Sequence, residues 1–255
     1  MTELTTADGH TLSCYRAAPA GPPLGAVVVA HEMFGITSQI RKLADDFAAQ
    51  GYLAIAPALF DRVKPGVELG YDDAGTAEGA ELVKQVDVET CLADLQAAVA
   101  AAKDAGRVAL VGYSWGAYLA YLAANAVSGL ACVVGYYGDG IVEGVGAKRK
   151  VPTLLHFAEN DPAIPVDEVE QFRARRPDVS AFTYFAGPGF ASDAHGGYDA
   201  EATRKANERT SFWLSQYVVG QQPILLKNAG AYAAQKNEKK KTKAAAADDM
   251  GPPLD

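Results

Sequence analysis

Val108-Ala109-Leu110-Val111-Gly112-Tyr113-Ser114-Trp115-Gly116-Ala117-Tyr118-Leu119-Ala120 runs from an unbroken apolar segment, through a pentapeptide with glycine at both ends, into an alanine-rich segment of helical character. An apolar run without alternation suits a strand buried on both faces of a parallel sheet. A serine held between such a strand and a helix sits on a strained tight turn, its hydroxyl projecting above the sheet, and the glycines leave room for neighbouring backbone. The helix that starts beside Ser114 also offers free N–H groups and a positive dipole end where negative charge could develop. Ser114 is therefore the candidate nucleophile; a glycine-bounded turn that merely contains a serine is the competing reading.

Outward from this segment the same grammar repeats. Apolar runs at Ala26 to Ala30, Leu53 to Ala56, Ala131 to Tyr136, Thr153 to Phe157 and Ala181 to Phe185 predict further strands. Between them, Ile40, Leu43, Ala44 and Phe47 fall on one helical face, and similar stripes run through 88–105, 117–126 and 200–217. The alternation predicts an α/β fold, a mostly parallel, doubly wound sheet with helices on both faces. Asp8-Gly9 between two short alternating runs adds an N-terminal antiparallel hairpin with a tight turn. Ligands of such sheets bind beyond the carboxyl ends of the strands.

The 255 residues, about half of them apolar, suffice for one sizeable core. Residues 1–226 are expected to form it, with 227–255 a flexible Lys- and Ala-rich tail. The net charge of -8 is uneven: the tail holds six Lys against four Asp or Glu, leaving the body at -10. Such a body repels polyanions, which argues against a nucleic-acid partner. No apolar run is long enough for a membrane span and no secretory pattern opens the chain, so a cytoplasmic protein is expected. Cys14, Cys91 and Cys132 lack metal-ligand spacing and read as free thiols.

Two more segments carry chemistry. His31-Glu32-Met33-Phe34-Gly35 follows the first parallel strand, where Met33 N–H and Trp115 N–H would pair as an oxyanion hole. Glu32 would then point toward the nucleophile, unless it is a surface ion-pair residue. Thr153 to Asp161 is a buried strand ending in acidic residues, and Asp161 is placed to orient an imidazole, or simply to cap the helix near Val166. His156 lies inside the strand run and reads as a core histidine.

Together with Ala56-Pro57-Ala58-Leu59-Phe60-Asp61-Arg62, Glu68-Leu69-Gly70-Tyr71-Asp72 and Ala206-Asn207-Glu208-Arg209-Thr210, these segments resemble the dienelactone hydrolase family over roughly residues 1 to 218. The resemblance implies the α/β-hydrolase fold and esterase activity on small lactones, using a cysteine nucleophile, an aspartate, a histidine and an activating glutamate. The cysteine falls at Ser114, the aspartate at Asp161 and the glutamate at Glu32. The family histidine falls at Pro188 and a substrate-binding arginine at Ser192. A serine hydroxyl hardly ionises, so it depends on a base more than a thiol does. His195, seven residues beyond Pro188, is the candidate general base, and the order Ser114, Asp161, His195 fits the fold; a surface histidine is the alternative. Glu32 as base is disfavoured by an ordinary carboxylate pKa of about 4. The expected function is hydrolysis of a small ester or lactone without metal or organic cofactor. The rival is a catalytically impaired protein that binds a small ligand or protein partner at the old cleft.

Overall fold

The computed structural model describes residues 1–144, 146 and 148–220. The expected 227–255 tail lies outside the described residues.

In chain order the elements are β1 (Thr2–Thr5), β2 (Thr11–Ala17), β3 (Ala26–Ala30), α1 (Ser38–Ala49), β4 (Leu53–Pro57), α2 (Asp73–Gln85), α3 (Val88–Ala102), β5 (Val108–Tyr113), α4 (Trp115–Ala126), β6 (Leu130–Tyr136), β7 (Thr153–Ala158), α5 (Val166–Arg175), β8 (Val179–Tyr184) and α6 (Ala200–Leu214). They build one eight-stranded sheet in the order β1-β2-β4-β3-β5-β6-β7-β8. The first two pairings, β1 with β2 and β2 with β4, are antiparallel; every later one is parallel.

Strand alternation divides the core. Val27 and Val29 face Ile40 and Phe47 of α1 and Ala206 and Leu214 of α6, while Val28 and Ala30 face Leu95 and Val99 of α3 and Leu119 and Ala123 of α4. All five residues of β3 are fully buried, as two covered faces require. Side-chain caps fix four helix starts: Thr37, Asp72, Asp87 and Asp199 accept from Ile40, Gly75, Thr90 and Ala202 N–H respectively. Among the described residues no helix is long and apolar enough to cross a membrane.

Three elements differ from the sequence expectation. The hairpin forms, but its connection is wider than a two-residue turn: Thr5 pairs with Thr11, Thr6 N–H bonds to His10 O, and only Gly9 takes a positive φ, of 84°. The Asp8 side chain accepts from Thr6 Oγ1, His10 N–H and Arg62 within this wider connection. Helix α2 lies in a stretch where the sequence showed no apolar stripe, because its buried face is thin: only Gly75, Gly79 and Leu82 are buried. The 200–217 helix stops at Leu214 and widens into a π-helical turn over Ser215–Val219.

Candidate active site

Because β3, β5, β6, β7 and β8 are parallel neighbours, the loops leaving their carboxyl ends gather Glu32, Ser114, Tyr137, Asp161 and His195 at one end of the sheet. Ser114 follows β5 directly, with φ 50° and ψ -120°, and its N–H bonds to Tyr136 O at 2.9 Å. Such a backbone costs a non-glycine residue about 1–3 kcal/mol. The flanking glycines make the turn possible. A Cβ on Gly112 would lie 2.1 Å from Gly116 O, and one on Gly116 would lie 2.2 Å from Ala30 O. Strand β5, helix α4 and the end of β3 thus meet backbone to backbone around a partly exposed Ser114. Trp115 N–H and Met33 N–H have no hydrogen-bond acceptor among the described residues.

The Glu32 loop is held from beneath by His31. His31 is fully buried and accepts from Leu59 N–H on Nε2 at 3.0 Å, which leaves Nδ1–H to donate to Glu32 O at 2.6 Å. Burial pushes the His31 pKa down to about 4, so the ring stays neutral and this pattern persists. Farther along, Ile36 N–H bonds to Val67 O and Leu69 N–H to Phe34 O. The close approach needs Gly35, whose φ is 81° and whose added Cβ would lie 2.1 Å from Val67 O. This stitching delivers Tyr71, whose hydroxyl donates to Glu32 Oε2 at 2.8 Å and lies 3.1 Å from Thr37 Oγ1.

Glu32 is 2% exposed, which excludes a surface ion pair. Burial raises its pKa from 4.5 to about 7, against the opposing pull of the Tyr71 and Tyr137 hydroxyls. A raised carboxyl pKa stabilises the fold below the unfolded value, and that contribution fades as pH climbs through the folded one. Glu32→Gln is therefore expected to leave stability nearly unchanged at pH 4 and to raise it by up to roughly 3 kcal/mol at pH 8. Urea unfolding of both proteins at the two pH values measures this; an equal difference at both would contradict it.

Tyr137, just beyond β6, has φ 40° and donates its N–H to His156 O at 2.7 Å. Its ring packs 5.4 Å from Phe190, and its buried hydroxyl faces Glu32 without completing a hydrogen bond. Asp161, 7% exposed, accepts Ala163 N–H on Oδ1 at 2.9 Å. Its pKa is raised, chiefly by burial and further by the charge of Asp139. The Asp161 loop is tied to the end of β8 by Asn160 N–H to Ala186 O at 3.0 Å.

The loop from Gly187 to Gly197 folds back on itself. A Cβ on Gly197 would lie 2.0 Å from Pro188 O, and one on Gly189 would lie 2.5 Å from His195 Cγ. The six residues between Pro188 and His195 therefore close up, and the imidazole rests on the residue adjoining Pro188. Its other neighbours are Tyr71 and Phe34, at ring-centroid distances of 5.7 and 6.3 Å. Half-burial lowers the His195 pKa, keeping the ring neutral at neutral pH. Among the described residues no hydrogen bond joins this ring to Ser114 or Asp161. His156 is buried in the sheet, with Nδ1 2.8 Å from Tyr184 Oη and Nε2 3.0 Å from Thr210 Oγ1.

Two site residues were given no role by the sequence. Tyr71 stood inside a quoted block, but its bond to Glu32 depends on a crossing of segments 39 residues apart. Tyr137 carried no signal at all, since a positive φ at a tyrosine has no local sequence mark.

The family model for the dienelactone hydrolase family matches residues 12–218. A carboxymethylenebutenolidase of Pseudomonas putida is 35% identical over 220 residues, covering 82% of this chain and 92% of the relative. Carboxymethylenebutenolidase 1 of Cupriavidus pinatubonensis is 31% identical over 219 residues, covering 82% and 93%. A crystal structure of a Klebsiella pneumoniae protein considered a dienelactone hydrolase superposes with a TM-score of 0.73 at 28% identity, covering 85% of this chain and 98% of that one.

Proposed function

The chain belongs to the dienelactone hydrolase family and by that membership is a hydrolase of small molecules, and from this premise we propose that it cleaves small carboxylic esters or lactones through Ser114. The observation that carries the reading is the elbow: a strained serine between β5 and α4, with the Met33 and Trp115 N–H groups lacking an acceptor among the described residues. In this reaction Ser114 Oγ adds to the substrate carbonyl as its proton passes to His195. The developing oxyanion takes hydrogen bonds from Met33 and Trp115 N–H, each worth on the order of 3 kcal/mol. Collapse of the adduct breaks the ester C–O bond, and His195 returns the proton to the departing alkoxide. Water then attacks the acyl-enzyme by the same route, releasing the acid and restoring Ser114. Asp161 orients the imidazolium once the docked ester draws His195 into line; catalytic hydrogen bonds commonly tighten only in the substrate complex.

One observation favours a second reading, binding without turnover: the ring of His195 is bonded to neither Ser114 nor Asp161. Another bears on the base itself, because a Glu32 carboxyl near pKa 7 is better matched to proton transfer than an ordinary carboxylate. Hydrolysis of 4-nitrophenyl butyrate by wild type, His195→Ala and Glu32→Gln separates these readings. Wild type is expected to turn over well above background, with kcat/KM rising through a pKa below 6.5, and His195→Ala to lose about a hundredfold or more. An active His195→Ala beside a dead Glu32→Gln would move the base to Glu32. An inert wild type selects ligand binding.

A further inference from the structure

Next to the Glu32–Tyr71 pair stand two buried hydroxyls that lack partners among the described residues. Ser192 is 1% exposed and Tyr137 5% exposed, and neither hydroxyl has a hydrogen-bond partner among the described residues. Both are fixed in place. Ser192 N–H bonds to Gly189 O and Ser192 O accepts from His195 N–H, while Tyr137 is pinned by its N–H to His156 O. Ser192 Oγ lies near the Tyr71 hydroxyl, which is already shared between Glu32 and Thr37. A buried hydroxyl without a partner is destabilising, and a substrate atom that satisfies it recovers that loss on binding.

Charge narrows what that atom can be. Four cations on the segments flanking the Glu32 loop are held by carboxylates: Arg41 by Glu68 at 2.5 Å, Lys42 by Asp193 at 2.8 Å, Arg62 by Asp94 at 2.7 Å and Lys64 by Glu78 at 2.6 Å. The cleft itself contributes Glu32 and Asp161, with Asp139 near enough to Asp161 to raise its pKa. A substrate carboxylate would meet like charge beside four cations that are already paired; a neutral carbonyl, ether or hydroxyl oxygen would meet donors.

Resting on the ester-hydrolase reading, the geometry points to Ser192 and Tyr137 as specificity-determining residues that select uncharged, hydrogen-bonding esters or lactones over substrates bearing a carboxylate. The test compares 4-nitrophenyl butyrate with 4-nitrophenyl hemisuccinate, each corrected for its uncatalysed rate. Wild type should favour the neutral ester by at least about tenfold in kcat/KM, and Ser192→Arg should shift that ratio toward the anionic ester by a similar factor. Ser192→Ala and Tyr137→Phe keep the test open if the arginine variant fails to fold. Each should lower kcat/KM for the neutral ester about fivefold while leaving the melting temperature equal or higher, because an orphaned buried hydroxyl has been removed. A purely structural role predicts the opposite stability sign and no change in selectivity. Equal rates on both esters, or variants that leave the ratio and the rates unmoved, overturn the assignment. If wild type hydrolyses neither ester, the hydrolase reading fails separately, and calorimetry with δ-valerolactone and monomethyl glutarate decides this one. Tighter binding of the lactone by about tenfold supports it, whereas equal or tighter binding of the carboxylate, or binding of neither, overturns it.

Discussion

Ser114→Gly is expected to abolish ester hydrolysis and at the same time raise the melting temperature. The two effects have separate origins. Loss of Oγ removes the nucleophile, and what remains is the polarisation supplied by the two N–H donors, so kcat should fall by at least about a thousandfold. The backbone of Ser114, at φ 50° and ψ -120°, is open to glycine without the strain that a Cβ imposes. Relief of about 1–3 kcal/mol exceeds the roughly 0.5–1 kcal/mol of added unfolded-state entropy, which leaves a net gain on the order of 1 kcal/mol. For a domain of this size that is a rise of about 2–4 °C. Ser114→Ala should lose the same activity with no such gain, since it retains the Cβ. Calorimetry beside a 4-nitrophenyl butyrate assay reads both axes, and a Ser114→Gly protein that keeps wild-type turnover would end the nucleophile assignment.

Gly116→Ala should be severely destabilising although it adds a single methyl. In an ordinary helix the change is favourable by up to about 1 kcal/mol. Here the new Cβ would lie 2.2 Å from Ala30 O and 2.6 Å from both Ala30 C and His31 O. Those atoms belong to the backbone at the end of β3, so no rotamer change clears them, and α4 must lift off the sheet. The expected loss exceeds about 4 kcal/mol, or more than roughly 8 °C in melting temperature. Gly21→Ala is the control, because nothing lies within 4 Å of its added Cβ and its φ is not positive; it should be neutral or slightly stabilising. Finding Gly116→Ala within 1 kcal/mol of wild type would mean the elbow is not packed as described.

The parts of the site that were legible in the sequence share one property: they depend on local periodicity and on residues close together in the chain. The unbroken apolar runs require strands covered on both faces, and β3, β5, β6 and β7 are found where those runs lie. Glycines two residues either side of a serine, between a strand and a helix, permit the tight turn that Ser114 occupies. Helix α2 escaped notice for the same reason in reverse, since a face made of Gly75, Gly79 and Leu82 hardly registers as apolar.

What tertiary structure alone decided concerns protonation and proximity. An isolated Glu32 is an ordinary carboxylate; sealed beneath Tyr71 and Tyr137 its pKa rises to about 7, because burial penalises the charged form more than two hydroxyls relieve it. Sequence proximity left open where His195 lies relative to Pro188, seven residues before it; the glycines of the 187–197 loop let the chain double back and lay the ring on Gly189. The left-handed backbone of Tyr137 and the buried hydroxyl of Ser192 belong to the same class. The sequence by itself determined a parallel α/β sheet with a serine on a glycine-flanked turn, because steric exclusion and hydrophobic period act along the chain. Which groups face that serine, and in what charge state, was set only by the folded molecule, because desolvation and contact depend on segments that meet across it.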